Sequence, residues 1–314
     1  GERGAVEAGA LPTLLPGGRS VGDAAARADV AALWGAEVPA TPGRDLTGIL
    51  TAVRDGQLSG LLVGGVDPAD LPDPALAEAA LASAGFVVSL EMFPTAVTEW
   101  ADVVLPVAAA AEKAGTYLDW EGRARPFDAT LHGTGQLPDG RVLQGLADEL
   151  DVDLRLPTPE AARAELAALG AARRPGHGSA LPAHGLDVPP PPSPSTDGPG
   201  ETAVLASWRQ LIDVGTLQRD EPELAGTARP SVARLGPDAA ARLGLADGDR
   251  LTVSGATGSV SLPVRVTPMP DHVVWLPMRS PGCEVRADLG AGPGAVVRLS
   301  SLSAHPGHPD GGVA

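Results

Sequence analysis

Short apolar runs bounded by glycine and proline alternate with helical patterns in the first third of the chain. Leu58–Val66, Phe86–Leu90 and Ala101–Leu105 are continuous apolar runs, and their length is typical of strands buried on both faces. The alanine-rich stretch Ala75–Ser83 predicts a helix with Gly85 as its C′ residue. Strands that alternate with helical segments indicate an open, mostly parallel α/β sheet.

Segments with apolar positions at helical spacing lie before and after these strands along the chain. The spacing predicts four further helices, over Ala24–Leu33, Asp45–Arg54, Arg141–Leu150 and Pro159–Leu169. We assign residues 1–172 to this α/β domain.

A different pattern follows a linker. Residues 173–200 are rich in proline and glycine, with four consecutive prolines at Pro189–Pro192, a composition typical of a stiff, extended linker. Beyond the linker, polar and apolar residues alternate in short runs between glycine and proline turns. The pattern predicts a small β-barrel over residues 201–304 and a flexible tail over 305–314. Its predicted elements are strands at Ser231–Leu235, Asp249–Ser254, Ser259–Val266 and His272–Leu276, and a short helix at Gly236–Leu243.

Charge and composition narrow the class of protein. The 314 residues include 23 basic and 39 acidic side chains, a net charge of −16, so a nucleic-acid partner is not expected. No apolar run approaches the ~20 residues of a membrane helix, so no direct membrane insertion is expected. The single cysteine, Cys283, excludes an internal disulfide and a cluster held by this chain's own thiolates. The chain begins with Gly1, and we expect it to be a piece of a longer protein.

Two segments carry candidate chemistry. Gly64 and Gly65 lie at the carboxyl end of the first predicted strand, and Asp67 follows it. Glycines there permit close approach of a phosphate, although a tight strand exit needs glycine equally. Polar loops also lie on both sides of the third predicted strand. Their candidate residues are Thr98, Glu99, Glu112, Gly115, Thr116, Glu121, Gly122 and Arg123. These polar loops contain no histidine for a proton relay. Of the six histidines, only His305 and His308 stand at metal-ligand spacing, and they lie in the predicted flexible tail. We therefore predict no catalytic and no metal-binding residue, and hydrogen bonds to the backbone as the role of these side chains.

The same segments resemble a known family. Thr98–Pro106, followed by Glu-Lys-x-Gly-Thr from Glu112 and by Glu-Gly-Arg from Glu121, resembles the sequence pattern of the molybdopterin oxidoreductase superfamily. Gly65–Pro68 is similar to its Gly-x-Asn-Pro, and Leu243–Asp249 is similar to its dinucleotide-binding domain. The resemblance implies a partial molybdopterin-oxidoreductase α/β domain followed by a double-psi β-barrel.

Within the superfamily, residues 2–19, 207–213 and 274–282 are most similar to the G subunits of the proton-pumping NADH-quinone oxidoreductases (complex I) of actinobacteria. This implies the C-terminal portion of a longer polypeptide, whose missing N-terminal part carries iron–sulfur clusters. The implied partners are other subunits of the peripheral arm, on the cytoplasmic side of the plasma membrane. Electrons would pass from NADH to quinone through clusters held elsewhere, and this portion would itself be non-catalytic.

Three residues depart from the superfamily pattern. Asp67 and Asp119 stand where the superfamily has asparagine, and Trp100 is unusual in its position. Two additional carboxylates would repel the phosphates of a pterin dinucleotide, so the sequence predicts vestigial pterin-site loops and no cofactor in this chain. The alternative is a genuine molybdopterin-dependent oxidoreductase, of the formate dehydrogenase or nitrate reductase type, in which these loops supply part of the cofactor cradle.

Overall fold

The computed structural model describes residues 2–119, 121–170 and 201–301, which form two compact units. The first contains the described residues 2–66 and 78–170, and the second contains 67–77 and 201–301. Up to residue 170 the helices and strands are, in order, α1 (Glu2–Glu7), β1 (Leu14–Leu15), β2 (Arg19–Ser20), α2 (Ala24–Trp34), α3 (Leu46–Arg54), β3 (Gly60–Gly64), α4 (Pro74–Ser83), β4 (Phe86–Glu91), β5 (Val103–Pro106), β6 (Gly115–Leu118), β7 (Ala124–Phe127), α5 (Asp139–Glu149) and α6 (Pro159–Gly170).

A three-stranded parallel sheet in the order β3-β4-β5 organises the first unit and confirms the predicted sheet. On one face, which we call the covered face, Leu61 and Val87 pack with Leu81 of α4 and with Val97 from the β4–β5 connection. On the other face, which we call the open face, α5 packs Val142 and Leu146 over Leu90 and Leu105 at the carboxyl ends of the strands.

The expectation that the strands are buried on both faces is wrong for two of the three. Exposure alternates along β3, and Leu62, on the open face, is 55% exposed. The strand β5 begins at Val103 instead of Ala101, and it includes Pro106. Both strands lie at an edge of the sheet, where a proline is tolerated because one side of the strand needs no donor. The burial of a strand therefore depends on whether it lies at the edge or in the middle of the sheet. An apolar run in the sequence does not indicate which of these places the strand takes.

The role predicted for Gly85 is also wrong. Gly85 does not adopt the left-handed conformation of a C′ residue. Its N–H donates to the Ser59 carbonyl at 2.9 Å, and a Cβ atom there would stand only 3.0 Å from that same oxygen. The glycine is needed for the close approach of two backbone segments.

The four predicted flanking helices are present, with small shifts at their ends. Asp23 and Asp45 cap α2 and α3, since their carboxylates accept hydrogen bonds from N–H groups of the first turn. Val30 of α2 packs with Leu15 and Leu169 in a separate apolar cluster.

The second unit is built around a closed six-stranded barrel in the order β10-β11-β9-β12-β8-β15. Its elements are β8 (Glu201–Trp208), α7 (Pro222–Ala225), β9 (Ala233–Leu235), α8 (Pro237–Arg242), β10 (Arg250–Ser254), β11 (Ser259–Val266), β12 (Val273–Pro277), β13 (Arg279–Ser280), β14 (Cys283–Glu284), α9 (Val285–Leu289) and β15 (Val296–Ser301).

Two pairs of neighbouring strands in the barrel are parallel, β8 with β12 and β9 with β11. The other neighbouring strands are antiparallel. Alternate residues point inwards, and they build a core of leucine and valine with Leu205, Leu251 and Leu276 almost fully buried. The predicted barrel is confirmed. The sequence pattern missed two strands of the barrel, β8 and β15, and the short pair β13 and β14 beside it. The predicted linker and tail lie outside the described residues.

Candidate functional site

The glycine-rich exit from β3 is a turn that leads into an aspartate-capped helical turn. The strand ends at Gly64, and Gly65 has a φ of +62°, a conformation that glycine adopts at little cost. Asp67 then caps a 3-10 turn at Pro68–Asp70, and its Oδ1 accepts the Ala69 N–H at 3.0 Å. The local sequence therefore explains the turn without a ligand.

Arginines of the second unit surround the two aspartates of this turn. Arg279 Nη1 lies 2.7 Å from Asp67 Oδ2 and 3.0 Å from Asp70 Oδ1. Arg209 Nη2 lies 2.9 Å from Asp70 Oδ1, and Arg286 Nη1 donates to the Asp70 carbonyl. We call these five residues the aspartate–arginine cluster.

Burial and pairing set the charges in the cluster. Burial acts to raise the pKa of Asp67, but hydrogen bonds from Arg279 and from the Ala69 N–H, with the Arg279 charge, outweigh it and hold that pKa below its ordinary value. Burial likewise acts to lower the pKa of Arg279, and its hydrogen bonds to Asp67 and Asp70 raise it overall. Both partners are therefore charged at neutral pH, and their side chains are only 16% and 13% exposed.

The space beside the cluster is small. A cavity of about 140 Å³ is lined by Ala69, Met278 and members of the cluster. Pockets that enclose a ligand of drug size have roughly 300–1,000 Å³, and a pterin dinucleotide is larger than most such ligands. The charged groups here bind one another, so they do not fit the phosphates of a dinucleotide.

Thr98 and the residues around it stabilise the connection between β4 and β5. Thr98 Oγ1 donates to the Thr95 carbonyl and accepts the Thr95 N–H, each at 2.8 Å. Asp102 Oδ2 accepts the Val87 N–H at 2.7 Å, and Glu99 is exposed. These contacts match the predicted hydrogen bonding of the loop to the backbone.

The second predicted polar loop is an antiparallel hairpin, β6–β7, and not a loop. Glu112 Oε2 accepts the Ala109 N–H at 2.8 Å just before the hairpin. In the first strand, a Cβ atom on Gly115 would stand 2.6 Å from the Phe127 ring. Thr116 Oγ1 accepts from Arg163 Nη1 at 3.0 Å. Glycine at 115 therefore makes room for an aromatic ring on the paired strand.

The Glu-Gly-Arg sequence forms the turn of this hairpin. Gly122 has a φ of +84°, and Asp119 Oδ1 accepts the N–H groups of Glu121 and Arg123 at 3.0 and 2.9 Å. Arg123 also pairs with Asp119 at 2.9 Å and with the Glu121 carboxylate. The aspartate that replaces the superfamily asparagine holds the turn.

The predicted site residues fall into separate groups. In the first unit, the side chains of Thr98, Glu112 and Thr116 hydrogen bond to Thr95, Ala109 and Arg163, and none of these partners is a predicted site residue. A cavity of about 570 Å³ in the first unit is lined by one of the predicted site residues, Thr116, but its other lining residues, such as Leu118, Ala162 and Leu166, are mostly small or apolar. The described part of the chain therefore brings no two of the predicted site residues together at this cavity.

Sequence reasoning missed the arginines of the cluster, which lie more than 130 residues from the aspartates that they bind. It also missed Ser89 and Glu91, which are buried at the carboxyl end of β4 at 0% and 8% exposure. Both positions in β4 could have been recognised in the sequence as polar residues among apolar neighbours. No local feature of the sequence linked the arginines to Asp67.

Cys283 is buried and unreactive by its environment. It is 1% exposed, and its Sγ donates to the Pro277 carbonyl at 3.2 Å. Burial, together with the charges of Asp288 and Glu284, raises the pKa of the thiol to about 12. A nucleophilic cysteine needs the opposite shift.

The described residues contain neither a metal-binding cluster nor a membrane-spanning helix. No group of three or more histidine, cysteine, aspartate or glutamate side chains is placed to hold a metal ion in that part of the chain. Among its helices, none combines the length and the hydropathy needed to cross a membrane.

Comparisons with known proteins agree with this architecture. Residues 2–137 match the model of the molybdopterin oxidoreductase family, and residues 205–309 match that of the molydopterin dinucleotide binding domain. The G subunit of the NADH-quinone oxidoreductase of Mycobacterium tuberculosis is 53% identical over 96% of this chain, and that of Streptomyces coelicolor is 53% identical over 95%.

Those matches cover 37% and 35% of the two relatives, so the chain spans little more than a third of their length. Among solved structures, the acetylene hydratase of Pelobacter acetylenicus is 15% identical with a TM-score of 0.47, over 82% of this chain and 42% of the other. From the family models and the NADH-quinone oxidoreductase relatives together, we conclude that this chain belongs to the molybdopterin oxidoreductase family.

Proposed function

We propose that this chain is a structural part, without a cofactor of its own, of the G subunit of a proton-pumping NADH-quinone oxidoreductase. Two relatives of that name at 53% identity support the assignment. Under this proposal the chain takes part in electron transfer from NADH to quinone by supporting the protein that carries the redox centres.

The aspartate–arginine cluster is the observation that carries the proposal of a cofactor-free part. In a cradle for a dinucleotide, arginine side chains and turn N–H groups would have to be available to phosphate oxygens. Here Arg279 binds Asp67 and Asp70, and the Ala69 N–H binds Asp67. A phosphate would have to displace two carboxylates that are charged at neutral pH.

Membership of such a complex implies where the redox centres, the partner subunits and the membrane lie. The polypeptide outside this segment would hold the iron–sulfur clusters, and the neighbours would be other subunits of the peripheral arm, on the cytoplasmic side of the membrane. The predicted pterin-site loops, from Gly64 to Asp67, at Thr98 and Glu99, and from Glu112 to Arg123, would be vestigial. They would serve as turns and hairpin strands that bind their own backbone.

Metal analysis of the full-length protein tests the proposal. We expect molybdenum and tungsten far below one atom per chain after purification of the intact complex, alongside abundant iron. As a second measurement, Glu121→Ala in the assembled complex is expected to retain NADH:quinone electron transfer, because the contacts of Glu121 with described residues lie within its own hairpin turn.

A genuine molybdopterin-dependent oxidoreductase is the alternative, and the match of residues 205–309 to a dinucleotide binding domain favours it. Stoichiometric molybdenum or tungsten with an extractable pterin would establish this alternative and contradict the proposal. Loss of electron transfer in an assembled Glu121→Ala complex would also contradict it.

A further inference from the structure

The segment that follows α5 exposes apolar side chains in alternation with carboxylates. Leu150 is 74% exposed, Val152 is 50% exposed and Leu154 is 39% exposed. Asp151 and Asp153, which lie between them, are exposed as well. This alternation is typical of a half-buried strand, but residues 151–156 form no strand and pair with none in the part of the chain that the structure describes. Its apolar residues are therefore left uncovered by the described chain.

Hydrogen bonds fix the backbone of this segment against α5. The Val152 N–H donates to the Ala147 carbonyl at 2.8 Å, and the Leu156 N–H donates to Gln144 Oε1 at 3.3 Å. Arg155 has a φ of +55°, a left-handed conformation that few residues other than glycine adopt. Strand addition needs available N–H groups on an extended backbone. A partner strand therefore does not fit here, and the side chains are what the segment offers.

A groove is lined by this segment and by α5. Its volume is about 320 Å³, and its lining includes Leu143 of α5, Leu154 and Leu156. Ala114, which precedes β6, and Ala162 of α6 line it as well. We call it the leucine groove. Exposed apolar surface of this kind marks a place where another molecule binds.

The three charged residues that line the leucine groove already have partners. Lys113 Nζ lies 2.6 Å from Asp139 Oδ2, and Arg141 Nη1 donates to the Pro157 carbonyl at 3.1 Å. A small charged ligand would have to compete with these contacts, whereas an apolar side chain would not. The groove therefore favours an apolar occupant.

The surface beside the leucine groove is negatively charged. Between positions 139 and 160 the sequence has six carboxylates and two arginines. Glu149 and Asp151 are exposed, and neither has a cation partner among the described residues. Carboxylates without a cation, next to exposed leucines, attract a partner that carries both cations and apolar side chains.

Charge and shape select one kind of occupant. A second copy of this chain would bring the same net charge of −16 to an acidic surface, and nucleic acid or anionic lipid would be repelled in the same way. An amphipathic helix with lysine or arginine on one side satisfies both requirements, because its apolar residues at positions i, i+3, i+4 and i+7 enter a groove together.

We propose that the leucine groove is the docking surface for a basic amphipathic helix from another subunit of the same complex. The apolar side of this helix covers Leu143, Leu150 and Leu154. Its lysine or arginine side chains lie beside Glu149 and Asp151. This choice of partner rests on the proposed function, because under it the chain is part of one subunit among several.

Photo-crosslinking in the intact assembled complex tests this surface. The photoreactive p-benzoylphenylalanine replaces Leu150 or Leu154, and crosslinked peptides are sequenced by mass spectrometry after irradiation. The matched control carries it in place of Leu211, which is 90% exposed and lies in the second unit. We expect one or both of the groove variants, and not the control, to join a segment of another subunit in which lysine or arginine accompanies apolar residues at helical spacing.

Four results would overturn the docking surface. They are a crosslink to this chain itself, within one polypeptide or between two copies; a partner segment without basic residues; the same segment reached equally from Leu211; and the absence of a crosslink at both groove positions.

Neutralising the acidic surface tests the charge of the partner. In the variant that crosslinks, Glu149→Lys with Asp151→Asn is expected to lower the crosslink yield at least about fivefold, because attraction is lost and a like charge is added. The control is Glu221→Lys with Asp220→Asn, which is expected to leave the yield unchanged. Each pair combines an exposed glutamate with an exposed aspartate in the left-handed conformation. Equal yields in the two double variants would contradict a basic partner.

Metal analysis of the same complexes separates the docking surface from the proposed function. Stoichiometric molybdenum or tungsten would overturn the proposed function whatever the crosslinks show. A complex that holds iron but neither of those metals, and that lacks the expected crosslink, would overturn the docking surface alone.

Discussion

Arg279 is the residue on which the aspartate–arginine cluster depends. Its guanidinium contacts the carboxylates of Asp67, Asp70 and Glu284, and its side chain is 13% exposed. Arg279→Ala leaves Asp67 and Asp70 short of a cation in a partly buried position, so we expect the free energy of unfolding of the second unit to fall by about 1–3 kcal/mol. Urea unfolding followed by the fluorescence of the barrel tryptophans measures this change.

The matched control is Arg265→Ala. Arg265 pairs with Asp247 at 3.3 Å, and both side chains are more than half exposed, so its removal is expected to cost less than about 0.5 kcal/mol. Equal losses for the two variants would show that the cluster contributes no more than a surface ion pair.

At the scale of elements, the turn between β10 and β11 is constrained by the helix α9. The N–H of Ala256 donates to the Leu289 carbonyl at 2.8 Å. A Cβ atom on Gly255 would overlap that carbonyl oxygen and stand 2.7 Å from Leu289 Cβ. We expect Gly255→Ala to destabilise the barrel by about 1–3 kcal/mol, since the turn or the helix must move, and thermal unfolding measures the loss.

Gly292→Ala is the control for the same substitution in the same unit. A Cβ atom on Gly292 meets nothing within 4 Å, and its φ is not in the left-handed region. The variant is expected to be as stable as the parent chain, or slightly more stable because the unfolded chain loses freedom. A Gly255→Ala variant that unfolds at the same temperature as Gly292→Ala would contradict the close packing described here.

At the scale of the whole molecule, one ion pair links stability to pH. Folding lowers the pKa of Asp67, so its contribution to stability is complete above the ordinary aspartate pKa of about 3.9 and is lost as the pH falls through the folded-state pKa. Asp67→Asn restores the superfamily residue and removes the charge. We expect it to lower the free energy of unfolding by about 1 kcal/mol at neutral pH.

The difference between the parent chain and Asp67→Asn is expected to shrink below about pH 4. Comparing the two chains at each pH removes the effect of the other carboxylates on a molecule with a net charge of −16. A difference that stays constant from pH 7 down to pH 3 would refute the role of the Asp67 charge.

Local sequence patterns predicted the type and the ends of helices and strands better than they predicted what those elements pack against. Helices such as α2 and α3 begin at aspartate caps that the sequence displays, and β11 was predicted to the residue because polar and apolar positions alternate along it. The hairpin β6–β7 was missed because its strands are only four residues long and bury no side chain completely, so they leave no clear alternation of polar and apolar positions. The burial of β3 was wrong because an apolar run has the same composition at an edge as in the middle of a sheet.

The sequence by itself determined the two patterns of the chain, the parallel sheet, the barrel and the family motifs, because caps, alternation and glycine turns act over a few residues. Only the tertiary structure decided what those motifs do. Asp67 binds an arginine 212 positions away, Gly85 accommodates a carbonyl of another segment, and Leu62 on the open face of the sheet stays exposed. Each of these depends on contacts between distant positions, and such contacts leave no periodic signal in the order of residues.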